Sequence, residues 1–328
     1  MKLGTLKDGT RDGALVVVSG DLKHAVPADH IALRLQEALD DWEYTGPQLQ
    51  SLYEDLNRAP SPRAFEPDFS KFAAPLPRAY QRIEAAAYMN HVERICKAAG
   101  AEAPKQYWTE PLLRQSGADL LLGPRDDIVI ESEDWGVDIG ALVAIVTDDV
   151  PMGTRPDRAG EHVRLLMLAS EVSLRGLLAP GGDPGDFHLR PACAYAPVAV
   201  TPDELGAAWH GGKLHLPVIV AVNGAPLGKP DAGADMTFGF HRLIARAART
   251  RRISAGTILG SGTVSNKDKA AGFACLEEKR ALERIEKGEA STPLLKFGDR
   301  VRIEVLDAAG RSVFGAIDQQ IVQFQPLR

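Results

Sequence analysis

Along most of the chain, apolar residues gather in short runs rich in valine and isoleucine, broken by Gly, Pro and Asp. That pattern predicts strands and turns more than helices. Residues 3–6 and 14–19 predict two short strands, with Asp8-Gly9-Thr10 and Asp12-Gly13 supplying the glycine turn, so a small β unit opens the protein. Between Ile31 and Asn57 the residues Leu33, Leu35, Leu39, Trp42, Leu49, Leu52 and Leu56 recur at helical spacing, and Gly46-Pro47 divides them into a helical pair. Pro60, Pro62, Pro67, Pro75 and Pro77 crowd residues 58–77, which read as a linker because proline fixes φ and donates no hydrogen bond. The expected division is an N-terminal domain with its linker over residues 1–75 and a larger domain over residues 76–328.

In the second part, residues 137–146, 194–200, 214–222 and 301–307 predict the clearest strands, and residues 88–99, 159–171, 237–248 and 276–287 predict helices. Strands outnumber helices and are irregularly spaced, which does not match a repeating βαβ series. The expected fold class is α+β, mainly β: a mixed β-roll or sandwich with peripheral helices, preceded by a small N-terminal β domain.

Charge and composition narrow the function. Lys plus Arg at 38 against Asp plus Glu at 44 gives a net charge of -6, which argues against nucleic acid or an anionic membrane as the main partner. Cys96, Cys193 and Cys275 lie far apart without ligand spacing and read as reduced core residues. No signal-peptide or membrane-spanning pattern is present, so the expected setting is soluble and cytoplasmic.

Several segments carry a family resemblance together: Ala87-Tyr88-Met89-Asn90-His91-Val92-Glu93, Leu122-Gly123-Pro124-Arg125-Asp126-Asp127, Asp148-Asp149-Val150-Pro151-Met152-Gly153, Val172-Ser173-Leu174-Arg175, Thr257-Ile258-Leu259-Gly260-Ser261-Gly262-Thr263-Val264-Ser265-Asn266, and Phe314-Gly315-Ala316-Ile317-Asp318-Gln319. Their joint order resembles the fumarylacetoacetate hydrolase family over nearly the whole chain. The resemblance implies a small N-terminal β domain, a C-terminal mixed β-roll, a small-molecule substrate and a homodimer. It also implies Mg²⁺ or Ca²⁺ held by four carboxylates, an all-oxygen set suited to a hard cation.

Those four positions fall here on Glu84, Gly140, Leu142 and Glu171. Two have no side-chain oxygen and two are longer by a methylene, so the expected metal site is degraded and no cofactor is expected, with Mg or Ca as the family-implied alternative. Glu131 and Glu133 lie too far upstream to replace the missing pair and are expected on an exposed turn. The family's substrate-facing Lys falls on Arg190 and a substrate-facing Tyr on Arg114, while Arg175 matches a pocket arginine.

The family's catalytic dyad maps to His91, with Glu278 or its neighbour Glu277 as the orienting carboxylate. Gly260-Ser261-Gly262-Thr263 offers backbone donors and a hydroxyl to a substrate oxygen, with Gly262 and Thr263 as substrate-binding candidates. Glu84 and Glu171 are expected in ion pairs. His188 and Asp186 are expected to face solvent, and His24, His30, His162, His210, His215 and His241 to be structural. The resulting expectation is an enzyme acting on an enolisable 1,3-dicarbonyl or keto acid by His/Glu acid-base chemistry without the metal. Its alternatives are a Mg/Ca-dependent C–C hydrolase of fumarylacetoacetate or acylpyruvate type, and a non-catalytic binding or partner protein.

Overall fold

The apolar run at Val137–Thr147 forms the centre of the molecule, a strand buried along its whole length. It pairs antiparallel with Val163–Leu174, from Val137 opposite Leu174 to Thr147 opposite Val163, and that partner is also buried almost throughout. A computed structural model describes residues 1–59, 61–178 and 186–326, so Pro60 of the proline-rich segment lies outside it.

These two strands anchor a ten-stranded sheet. On one side of Val163–Leu174 follow Val198–Val200, Lys2–Leu6, Ala14–Val18 and Ala25–Pro27; Cys193–Tyr195 also pairs with it. On the other side of Val137–Thr147 lie Ile258–Gly260, Arg82–Ala85 and Leu113–Ser116. A five-stranded sheet runs in the order Ala225–Gly228, Val218–Val222, Arg300–Val305, Ile317–Gln323 and Ile128–Ile130. The small N-terminal unit therefore extends the main sheet edge to edge, with Lys2 opposite Val200.

The mainly β architecture with peripheral helices agrees with the expectation, but several elements differ. Residues 159–171, expected as a helix, lie mostly in strand Val163–Leu174. An uninterrupted apolar run such as Leu165-Leu166-Met167-Leu168 has no helical or alternating period, and burial on both faces is what a central strand demands. The expected break at Gly46-Pro47 lies inside helix Trp42–Arg58, and the chain turns instead at Asp41, after Leu35–Asp40. Glycine before proline lacks the Cβ that would meet the proline ring, so the helix absorbs the proline at the loss of one hydrogen bond. Residues 194–200 split into Cys193–Tyr195 and Val198–Val200, and residues 214–222 into Lys213–Leu214 and Val218–Val222, with Pro197 and Pro217 at the breaks. The proline-rich segment is short of regular structure, as its prolines require, yet it packs tightly. Phe72 is fully buried and bridges to Leu6, and Phe65 bridges to Ala25.

Candidate active site

His91 sits in the first turn of helix Met89–Ala98, and Glu278 in the first turn of helix Leu276–Lys287. The two helices pack so that His91 Nδ1 lies 3.0 Å from Glu278 Oε2, although 187 residues separate them. The other oxygen, Glu278 Oε1, accepts from Arg94 Nη1 and from Ser265 Oγ, each at 2.5 Å, and Asn90 Nδ2 donates to Ser265 Oγ at 2.6 Å. Burial alone would raise the Glu278 carboxyl; the nearby His91 ring and the bonds from His91, Ser265 and Arg94 more than offset it and hold it below the usual carboxylate range. Glu277 turns away to Arg284 and Arg280, and Glu278 is the carboxylate in contact with His91.

His91 lines a cavity of about 280 Å³ with Arg114, Arg175, Arg190, Gly262 and Thr263. Gly262 has φ +74°, and a Cβ there would lie 2.2 Å from Ala85 O, so only glycine lets the turn approach strand Arg82–Ala85. Within this turn the amides of Ser261 and Val264 donate to Val143 O and Ala141 O, whereas those of Gly262 and Thr263 have no backbone acceptor among the described residues. Arg175 reaches the cavity while its Nη2 holds Asp138 Oδ2 at 3.1 Å.

The residual carboxylates are enclosed by arginines. Glu171 Oε1 accepts from Arg82 Nη2 at 2.8 Å, while its Oε2 accepts from Arg190 Nε at 3.1 Å and Arg114 Nη2 at 3.3 Å. Glu84 Oε1 accepts from the same Arg82 Nη2 at 2.7 Å. Three inter-strand steps separate Arg82–Ala85 from Val163–Leu174, on the order of 14 Å in a flat sheet. One guanidinium can bridge both carboxylates only because the sheet curls. Burial lowers Arg190 to about 10, with Arg114 adding to it. Burial is also the main cause that raises Glu84, against the pull of Arg82, and Glu84 Oε2 accepts no hydrogen bond from the described residues.

A divalent cation does not fit this donor set. Gly140 and Leu142 bring no oxygen; the space a side chain at 140 would enter holds Thr263 Oγ1, 2.6 Å from the position of a Cβ, and Leu142 is buried in an apolar cluster. His91, Cys275 and Glu278 offer ligand atoms within 4.8 Å of one another, but burial keeps the Cys275 thiol protonated, its Sγ caps the helix by accepting from Glu278 N, and the carboxylate is already engaged.

The raised Glu84 yields a stability test. A carboxyl whose folded pKa is raised contributes stability that is complete below the unfolded value of about 4.3, and this is lost as pH rises through the folded value. Relative to Glu84→Gln, the wild type should lose unfolding midpoint as pH rises above the unfolded carboxyl value. A difference that stays constant or grows as pH rises refutes a raised Glu84.

The sequence reading missed Arg82, Arg94 and Ser265. The alternation Arg82-Ile83-Glu84 puts two charges on one strand face, and Arg94 lies one helical turn after His91; both signals were available. Glu131 is exposed, and Glu133 starts a short 3₁₀ turn where its carboxylate accepts from Phe297 N. Asp186 and His188 are exposed, and the remaining histidines stand outside the cavity, His162 on Asp148 and His210 stacked on His215.

Comparison with known proteins matches residues 1–78 to the fumarylacetoacetase N-terminal domain 2 and residues 83–322 to the fumarylacetoacetate hydrolase C-terminal domain. No curated protein matches the chain. Similar solved structures include maleylpyruvate hydrolase from Sphingobium sp. SYK-6 in complex with manganese(II) and pyruvate, at TM-score 0.65 and 17% identity over 99% of this chain and 100% of that one. A fumarylacetoacetate hydrolase from psychrophilic Exiguobacterium antarcticum superposes at TM-score 0.66 with 17% identity, and a probable 2-hydroxyhepta-2,4-diene-1,7-dioate isomerase from Mycobacterium abscessus at 0.67 with 18%, each over 99% of this chain and 100% of the other.

Proposed function

The chain belongs to the fumarylacetoacetate hydrolase family, and from that premise we propose that it is an enzyme that shifts protons on an enolisable, carboxylate-bearing keto compound, without a divalent cation. The observation that carries the reading is the 3.0 Å contact between His91 Nδ1 and Glu278 Oε2 at the wall of an open cavity. An ionised Glu278 accepts from Nδ1–H, which fixes the tautomer and leaves Nε2 with its lone pair as the base.

In this reading Nε2 takes a proton from the carbon beside a carbonyl. The C–H electrons become the enolate C=C, and the carbonyl oxygen takes the negative charge. The Gly262 and Thr263 amides with Arg114 and Arg190 meet that oxygen and the substrate carboxylate. Return of the proton from His91 to a different atom completes a tautomerisation. Lyase chemistry by decarboxylation, dehydration or ring closure would draw on the same groups, as would C–C hydrolysis with a water activated at His91. The guanidinium groups of Arg82, Arg114, Arg175 and Arg190 outnumber the carboxylates of Glu84, Asp138 and Glu171 by one, a balance that favours an anionic ligand. On family grounds the protein is read as a cytoplasmic homodimer.

Two rival readings remain distinct. Structures similar to this one include proteins named hydrolases and isomerases, one of them with manganese and pyruvate bound, which motivates a metal-dependent hydrolase through Glu84, Glu171 and water. The engagement of Arg190 and Arg114 by Glu171 favours a non-catalytic binding protein. Proton NMR of deuterium exchange into the carbon between the carbonyls of acetylpyruvate separates all three. Catalysed exchange that survives dialysis against a chelator is expected. Loss on chelation with recovery on added Mg²⁺ or Ca²⁺ would establish the metal enzyme, and exchange at the uncatalysed rate across a panel of keto acids, with binding retained, would establish the binding protein.

A further inference from the structure

Arg82 and Glu84 lie two residues apart on strand Arg82–Ala85, so their side chains share one face of the sheet, and Glu171 reaches the same point from Val163–Leu174. A single atom, Arg82 Nη2, contacts Glu84 Oε1 at 2.7 Å and Glu171 Oε1 at 2.8 Å. Both carboxylates line the cavity, whereas Arg82 sits behind them at 2% exposure. We infer that Glu84 and Glu171 form a latent divalent-cation site whose resident cation is the chain's own Arg82 guanidinium. The inference rests on the metal-free reading above and says what holds the carboxylates together in the metal's place.

Two ionised carboxylates this deeply buried repel each other unless a positive charge or a shared proton lies between them. The guanidinium supplies that charge from inside the fold. The two Oε1 atoms share one nitrogen, so they are no farther apart than the sum of its two contact distances. A hard cation takes oxygens at about 2.0–2.6 Å, so a small inward movement of both carboxylates would let an ion occupy the position that Nη2 leaves. Glu84 Oε2, which has no hydrogen-bond partner among the described residues, and the Tyr195 hydroxyl, which lies beside Cys193 in the surroundings of Arg82, are further oxygens within this polar nest. Burial opposes the charge on Arg82, and the acidic groups around it, Glu84 and Glu171 among them, more than offset that, so the guanidinium stays protonated.

Functionally, a tethered guanidinium behaves unlike a bound ion. It cannot exchange with solvent, it offers no vacant coordination position to a substrate oxygen, and it does not touch the cavity. The cations available to a ligand are then the arginines that line the cavity.

The test needs no substrate. Thermal unfolding of the wild type, R82A, R82K and R82A/E84Q/E171Q is followed in chelator and in millimolar Mn²⁺, Mg²⁺ or Ca²⁺. Wild type and R82K should not respond to any of the three ions. R82A should gain at least about 3 °C in Mn²⁺, and the triple variant should lose that gain. Where R82A does not fold alone, Mn²⁺ supplied during expression should recover soluble protein. R82A that ignores all three ions, or that aggregates with Mn²⁺ present, overturns the inference while leaving the acid-base reading intact. Stoichiometric Mn²⁺ binding by the wild type that is lost in E84Q overturns both.

Discussion

His91→Ala is expected to lower turnover of an enolisable keto acid by about 100- to 10,000-fold with the unfolding midpoint nearly unchanged. The ring is partly exposed at the cavity wall, so its removal leaves no large void, while the only base the dyad offers is gone. Glu278→Gln gives the sharper outcome. Arg94 and Ser265 both donate to Oε1, so they orient a glutamine with its oxygen on their side and turn its NH₂ towards His91 Nδ1. The amide then donates to Nδ1, the proton moves to Nε2, and the base carries its hydrogen on the wrong nitrogen. A loss comparable to His91→Ala is expected even though size and hydrogen bonding are kept; the wrong-tautomer effect in a hydrolase triad is worth about 10,000-fold. Steady-state kinetics with imidazole rescue of His91→Ala checks both. A Glu278→Gln enzyme with near wild-type kcat would show that Glu278 neither orients nor charges the ring, and His91→Ala at full activity would remove the acid-base reading altogether.

The way these residues come together explains what the sequence could disclose. His91 and Glu278 meet on the first turns of two packed helices, and no local pattern links positions so far apart; the motifs around each made the pair legible by resemblance. Helix Leu276–Lys287 is legible to its ends because acidic residues open it and Gly288, in the left-handed region, closes it. Strand Val163–Leu174 was not, because burial on both faces erases the period that separates strand from helix. That error had a cost at the site. A Glu171 placed at a helix end gives no hint that it stands opposite Gly140 in a central ladder, within reach of arginines from three separate segments. The alternation Arg82-Ile83-Glu84 offers the first pairing of Arg82, but its reach to Glu171 is set by how the strands assemble and not by any stretch of sequence.

Glu171 carries the largest stability prediction. It accepts from Arg82, Arg114 and Arg190, each from a different part of the fold, so its carboxylate fastens Arg82–Ala85, Leu113–Ser116 and the segment after Leu189 to Val163–Leu174. Glu171→Ala removes one negative charge and leaves a fully buried guanidinium with a single acidic neighbour, Glu84, which burial already pushes towards its neutral form. Breaking a buried pair from one side costs about 3–5 kcal/mol, a large share of a typical domain's stability. Glu171→Gln keeps an oxygen for one arginine and should fall between the wild type and Glu171→Ala. Urea unfolding with unchanged m-value is the measurement. A Glu171→Ala loss below about 1 kcal/mol would mean that the arginines find solvent or each other's partners without difficulty, and the cluster would then be a wet ionic patch, not the internal clasp that the distances describe. The expected ordering of the wild type, Glu171→Gln and Glu171→Ala also separates charge from space. A loss that followed side-chain volume alone would leave the neutral isostere as stable as the wild type, whereas a loss that follows charge begins as soon as the carboxylate is gone.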